Sequence, residues 1–124
     1  MMKALKELSR TLRVSFNRNF AFRRLKEYHA RPRSLEETID WAMNFGGGHM
    51  TIKTLQIPSE ITRLARAVTA FKPKIIHEIG TARGGTSLIW ASIASEEMIT
   101  CDLEHRPAQK PLLEAWCRLV RSAK

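Results

Sequence analysis

Cysteine is scarce in this chain. Cys101 and Cys117 are the only two, and they form no Cys-x-x-Cys pair. Buried free thiols in a reducing cytosol are therefore expected, rather than a disulfide framework. His29, His49, His77 and His105 are scattered without metal-ligand spacing, so no metal site is expected. No apolar run approaches the ~20 residues that cross a bilayer. Lys3 and Lys6 near the start are followed by no continuous apolar core and no small-residue cleavage site, which argues against a secretory signal. The expected location is cytoplasmic, or peripheral to a membrane through the basic start. Internal repeats and low-complexity tracts are absent. What remains, 124 residues of which 44% are hydrophobic, suits one domain or part of one.

Acidic residues are nearly missing from the first 33 positions. Ten Lys and Arg stand there against Glu7 and Glu27, a net +8 of the chain's +9. The basic character thus belongs to one segment and says little about the rest. Leu5, Leu8, Leu12, Phe16 and Phe20 recur at three- and four-residue intervals, which predicts a helix over 3–28 with one apolar face. Three readings of that helix stay open. It packs its stripe on the domain; it lies on an anionic membrane surface; or its cations neutralise nucleic-acid phosphates. The Arg-rich, acid-poor start also resembles an organelle transit peptide.

Ala30-Arg-Pro-Arg33 breaks this helix. Ser34-Leu-Glu-Glu37 is a capping box, and Leu35, Ile39, Ala42 and Met43 then mark one side of a short helix. Gly46-Gly-Gly48 ends it and reads as a flexible connector, because it lacks the Gly-Lys-Ser/Thr ending of a phosphate loop. Next, Pro58 stops an extended segment, Ser59 is the expected N-cap and Glu60 suits the positive end of the dipole. Ile61, Leu64, Ala65 and Val68 predict a helix face running to about Phe71, before Lys72-Pro73 launches a strand.

That strand opens the most informative stretch. Ile75 to Ile79 reads as a buried strand, Gly80 to Gly85 as a turn, and a helix opens near Thr86. His77 alternates with Glu78 and is expected to be a packing histidine. Met98 to Cys101 reads as a second strand ending on Asp102. A loop with two prolines follows, then a helix with Leu112, Leu113, Trp116, Leu119 and Val120 on its apolar side. Gly80-Thr-Ala-Arg-Gly-Gly85 fits Gly-x-Ala-x-x-Gly, close to the dinucleotide fingerprint. Gly80 permits the sharp turn, where a side chain is expected to clash. Gly84 and Gly85 let the backbone approach a ligand, and the first helical amides point at it. Asp102, seventeen residues after Gly85, can accept two hydrogen bonds from a ribose diol. Glu78 separates the candidate cofactors. A carboxylate there suits the ammonium of a methionine moiety and opposes a pyrophosphate. Ala82, in place of the middle glycine, weakens the pyrophosphate case further. S-adenosylmethionine is therefore favoured over a nicotinamide cofactor. Arg83 reads equally as a contact for an acidic ligand group and as a solvated loop residue.

Gln56-Ile-Pro-Ser-Glu60, Glu78-Ile-Gly-Thr-Ala-Arg-Gly-Gly-Thr-Ser87 and Ile99-Thr-Cys-Asp-Leu103 together resemble the first half of a class I S-adenosylmethionine-dependent methyltransferase, of the cephalosporin hydroxylase-like and small-molecule O-methyltransferase group. The resemblance covers about residues 41–103. It implies an α/β chain with a partial Rossmann-like methyltransferase fold, N-terminal helices preceding a β-α-β-α unit. It also implies cofactor-binding roles for Glu78, Gly80, Gly84 and Asp102, with Thr81, Ala82 and Gly85 completing the turn. The expected division is 1–33 as a basic helical segment, 34–73 as a helical lead-in, and 74–124 as a truncated cofactor-binding unit. The family's sheet has seven strands with the first central, so one edge would lie bare here, an association hazard. The expectation is a part that binds S-adenosylmethionine and is weakly active or inactive alone. A homo-oligomer or a completing chain would meet the bare edge, and a small-molecule methyl acceptor would enter only a completed site. A nicotinamide-binding half-domain, and a non-catalytic basic module acting through residues 1–33, are the alternatives. No catalytic residue is named, because a sulfonium methyl needs positioning more than acid–base help.

Overall fold

A computed structural model describes residues 2–46 and 54–103. The expected last helix, Cys117, His49, His105 and the latter part of the triple glycine lie outside the described residues. The elements are α1 (Met2–His29), α2 (Leu35–Asn44), α3 (Pro58–Ala70), β1 (Ile75–Ile79), α4 (Gly85–Ile93) and β2 (Glu97–Cys101). The two strands form a parallel sheet in which Ile75 faces Glu97 and Glu78 faces Thr100. The arrangement is mixed α/β, with a β-α-β unit behind three helices.

Local chemistry explains most of the boundaries. Ser34 caps α2 as expected: its hydroxyl accepts from the Glu37 amide at 3.1 Å, and Glu37 accepts from the Ser34 amide at 2.9 Å. Arg31 donates to the same Glu37 carboxylate at 2.5 Å. That hydrogen bond, with the one from the Ser34 amide, holds its pKa down at about 2. α3 begins differently from expectation. Pro58 does not stop the preceding segment but occupies the first helical turn, and Ile57, not Ser59, is the N-cap. Proline suits that position because its missing N–H has no intrahelical acceptor and its φ is already helical.

The core lies among the helices. Leu25 and Tyr28 of α1, Ile39 and Ala42 of α2, Ile61 and Ala65 of α3, and Leu88 to Ala91 of α4 form one buried cluster. α4 packs on both strands, on α2 and on α3. Gly85 and the run from Ser87 to Ala91 are buried, which is the apolar pattern of a helix surrounded by protein. The C-terminal part of α1 is anchored by rings and guanidiniums. Arg24 sits 3.7 Å from the Trp41 ring centre and Arg33 sits 4.9 Å from it. The Tyr28 hydroxyl meets Thr38 at 2.9 Å inside the core.

Exposure departs from the expectations for the strands and their residues, and bears on the open readings of α1. The strands are not buried on both faces: Ile75, His77 and Ile79 are exposed and only Ile76 and Glu78 turn inward, with the same alternation along β2. Among the described residues, the helical packing lies on one side of the sheet. His77 is therefore an exposed residue rather than a packing histidine, and Cys101 is an exposed free thiol rather than a buried one. The apolar stripe of α1 is not packed on the domain along its first half either, since Leu5, Leu8, Leu12 and Phe16 are exposed.

Candidate cofactor site

The carboxyl ends of two parallel strands are where an open α/β sheet leaves a crevice, and the residues singled out in the sequence gather there. The chain leaves β1 at Ile79 and turns through three left-handed residues, Gly80 at φ +93, Ala82 at +45 and Gly84 at +78. The reason for glycine at position 80 differs from the expected clash. A Cβ built there meets nothing within 4 Å, so the requirement is the dihedral angle itself. The open space above Gly80 is the kind of cradle that a ligand can fill. Ala82 holds a positive φ without that freedom, a conformation that costs an L-residue about 1–2 kcal/mol.

Asp102 accounts for how Ala82 is held. Its Oδ2 accepts the Ala82 amide at 2.7 Å and its Oδ1 accepts the Leu103 amide at 2.8 Å. The carboxylate thus ties the turn to the end of β2 and makes the bend of its own loop. The Gly80 amide donates to the Cys101 carbonyl at 2.8 Å and the Gly84 amide to the Thr81 carbonyl at 2.7 Å. Gly84 is the N-cap of α4 and Gly85 its first residue, so the first amides of that helix face the same crevice with no intrahelical acceptor.

Beneath the turn, Glu78 is the half-buried hub. Its carboxylate accepts from the Ser87 hydroxyl, from Thr100 at 3.0 Å and from the Trp90 side chain. Burial pushes its pKa up, the three donors oppose that, and the nearby Asp102 charge adds to the rise. The Thr81 hydroxyl meets that of Thr100 at 2.6 Å, which extends the network into the turn. Ser87, Trp90 and Thr100 were not singled out in the sequence. Thr100 was legible in principle, because it lies directly across from Glu78 in the strand register. Ser87 is one turn into α4, where its hydroxyl can reach down to β1.

An open cleft of about 510 Å³ lies beside this hub, between α3 and β1. Gln56, Glu60, Glu78 and Thr86 give it polar groups, and Ile61, Leu64, Val68 and Trp90 give it apolar wall. Thr54, buried beside α2, fixes this corner by meeting the Thr86 hydroxyl at 3.1 Å and passing its amide to Ala42 at 2.9 Å. All seven expected cofactor-binding residues, Glu78, Gly80, Thr81, Ala82, Gly84, Gly85 and Asp102, therefore fall at one end of the sheet. Arg83 is in the turn and half-buried. Among the described residues, no cluster of three or more His, Cys, Asp or Glu side chains could hold a metal ion, and no helix is long and apolar enough to cross a membrane.

No curated protein and no solved structure matches the chain. The family model described as rhamnosyl O-methyltransferase/CmcI matches residues 41–120, a span that begins in α2 and takes in α3, the β-α-β unit and Asp102. With more than half of its length matched, and the glycine turn inside the match, the chain belongs to the rhamnosyl O-methyltransferase/CmcI family.

Proposed function

We propose that this chain binds S-adenosylmethionine at the carboxyl ends of β1 and β2, as the cofactor-holding part of a methyltransferase. The observation that carries the reading is the left-handed turn from Gly80 to Gly84, open above Gly80, with Glu78 below it and Asp102 beside it. The residues fit the group. Glu78 carries negative charge toward the cleft and would face the ammonium of the methionine moiety. Asp102, a carboxylate at the end of β2, would accept ribose hydroxyls. Gly80, Thr81, Ala82, Gly84 and Gly85 would present backbone to the ligand, and the apolar wall of the cleft would exclude water from it. The bound cofactor supplies an electrophilic methyl group. This chain's own contribution is to hold and orient it, which is the larger need of a reaction whose electrophile is already activated.

The sheet favours binding over turnover. Among the described residues β1 pairs with β2 alone, and the outer face of both strands is open. Parallel sheets are ordinarily covered on both faces. A small-molecule methyl acceptor would then need surfaces from further strands or from another chain.

Calorimetric titration with S-adenosylmethionine and S-adenosylhomocysteine tests the proposal. Binding is expected for the wild type, and Asp102→Ala should weaken it about 10- to 100-fold, the worth of a hydrogen bond to a charged group. Gly80→Val should abolish binding through its dihedral strain while the helical circular dichroism is retained. A well-folded wild type that binds neither compound, or that binds NAD in preference, overturns the reading.

A further inference from the structure

α1 carries apolar side chains on two different faces. Ala21, Leu25 and Tyr28 are buried in the domain core. Leu5, Leu8, Leu12 and Phe16 are between 58% and 71% exposed. At about 100° per residue, the buried set and the exposed set centre on directions roughly 180° apart around the helix axis. Extending the helix along its own axis therefore points the stripe away from the domain, not onto it. Lys6 and Arg13 lie beside the stripe, roughly 100° around the helix from its centre, Lys3 and Arg10 lie on the face opposite it, and all four are exposed. Among the described residues, none of these four forms an ion pair. Glu7 is the single acid in this half of the helix.

We propose that residues 2–16 of α1 are an interfacial helix that lies on an anionic lipid bilayer. The segment is about 22 Å long at ~1.5 Å per residue. Its leucines and Phe16 enter the boundary between headgroups and acyl chains, and its Lys and Arg side chains meet the anionic headgroups. Charge and apolar pattern together select this occupant. A second copy of the helix would bury the stripe but bring two cationic flanks together. Nucleic acid would use the cations and leave four large apolar side chains in water. A bilayer uses both. The opposed faces also mean that the C-terminal half of α1 stays packed in the core while the N-terminal half meets the membrane. This inference does not depend on the cofactor reading.

The test is sedimentation of the full chain with vesicles of phosphatidylcholine alone and with phosphatidylserine added. Binding is expected with phosphatidylserine and should weaken as salt rises. Leu8→Gln and Leu12→Gln should each reduce it about tenfold, the worth of one buried leucine. Lys6→Gln and Arg13→Gln should each reduce it about fivefold, and only where the anionic lipid is present. Both pairs of residues are exposed, so thermal melts and cofactor titrations should match the wild type. Wild-type binding by the leucine variants overturns the proposal. So does a failure to bind vesicles accompanied by duplex DNA binding that ignores Leu8 and Leu12. A dimer in sedimentation equilibrium that dissolves in the leucine variants, without vesicle binding, assigns the stripe to self-association and overturns it as well.

Discussion

At the scale of single residues, Glu78 has two demands on it that pull in opposite directions. Burial raises its pKa above the usual 4.5, so the folded state favours the protonated form. Its contribution to folding is present at low pH and declines as pH rises through that raised value. A cationic ligand needs the ionised form. Affinity for S-adenosylmethionine should therefore fall as pH is lowered, beginning above pH 4.5, and the Glu78→Gln variant should bind weakly with a flat profile. Titration calorimetry across that range checks it, and an unchanged affinity would make Glu78 a structural hub only. That hub is built from three donors on α4 and β2, so the two roles are separable only by such a measurement. Tyr28 gives a simpler case. Its hydroxyl and Thr38 are each other's partners inside the core, and burial raises the phenol's pKa further. Thr38→Val keeps the shape but leaves the phenol unpartnered, and should cost about 1–3 kcal/mol in urea denaturation.

At the scale of elements, boundaries set by local chemistry were legible and orientations were not. The capping box at Ser34 was readable because both of its bonds lie within four residues. Ser34→Ala should lower stability by about 1 kcal/mol. Because the Glu37 pKa is lowered to about 2, its contribution is full above pH 4.5 and declines as pH falls toward 2. Chemical denaturation at neutral pH and at pH 3 should show the Arg31→Ala penalty shrinking at the lower pH. β1 was placed to the residue, since isoleucines between Pro73 and Gly80 admit little else. The start of α3 was misread because Pro58 fits both the end of an extended segment and a first helical turn, and only the backbone distinguishes them. His77 and Cys101 were misjudged, and the first half of α1 was left open, for one shared reason. Periodicity says which residues share a face, but not whether anything covers that face. The turn from Gly80 to Gly84 was found from its glycines. Its fastening through Thr81, Thr100 and Ser87 was missed because hydroxyl residues carry no distinctive spacing.

At the scale of the whole molecule, the distribution of cover is the main fact. Among the described residues, four helices share one core on one side of the sheet, while Ile75, Ile79 and Ile99 stand exposed. Ile79 is 92% exposed at the end of β1 that borders the candidate site. An apolar strand with an open face and an open edge is a template for association. The same openness supports the binding-without-turnover reading, because whatever covers this face would also wall the acceptor side of the site. Charge should therefore separate the two properties. Ile75→Lys with Ile99→Lys places two cations on the open face, at residues outside the cleft, and leaves the core, Glu78 and Asp102 untouched. Sedimentation velocity over a range of concentrations should show the wild type associating and the double variant remaining monomeric. Cofactor affinity should be little changed, since neither substitution alters the glycine turn. If the double variant associates as strongly as the wild type, the sheet is not the contact. The stripe on the first half of α1 is then the next exposed apolar surface to test, and the Leu8→Gln and Leu12→Gln variants in the same experiment show whether it is the contact.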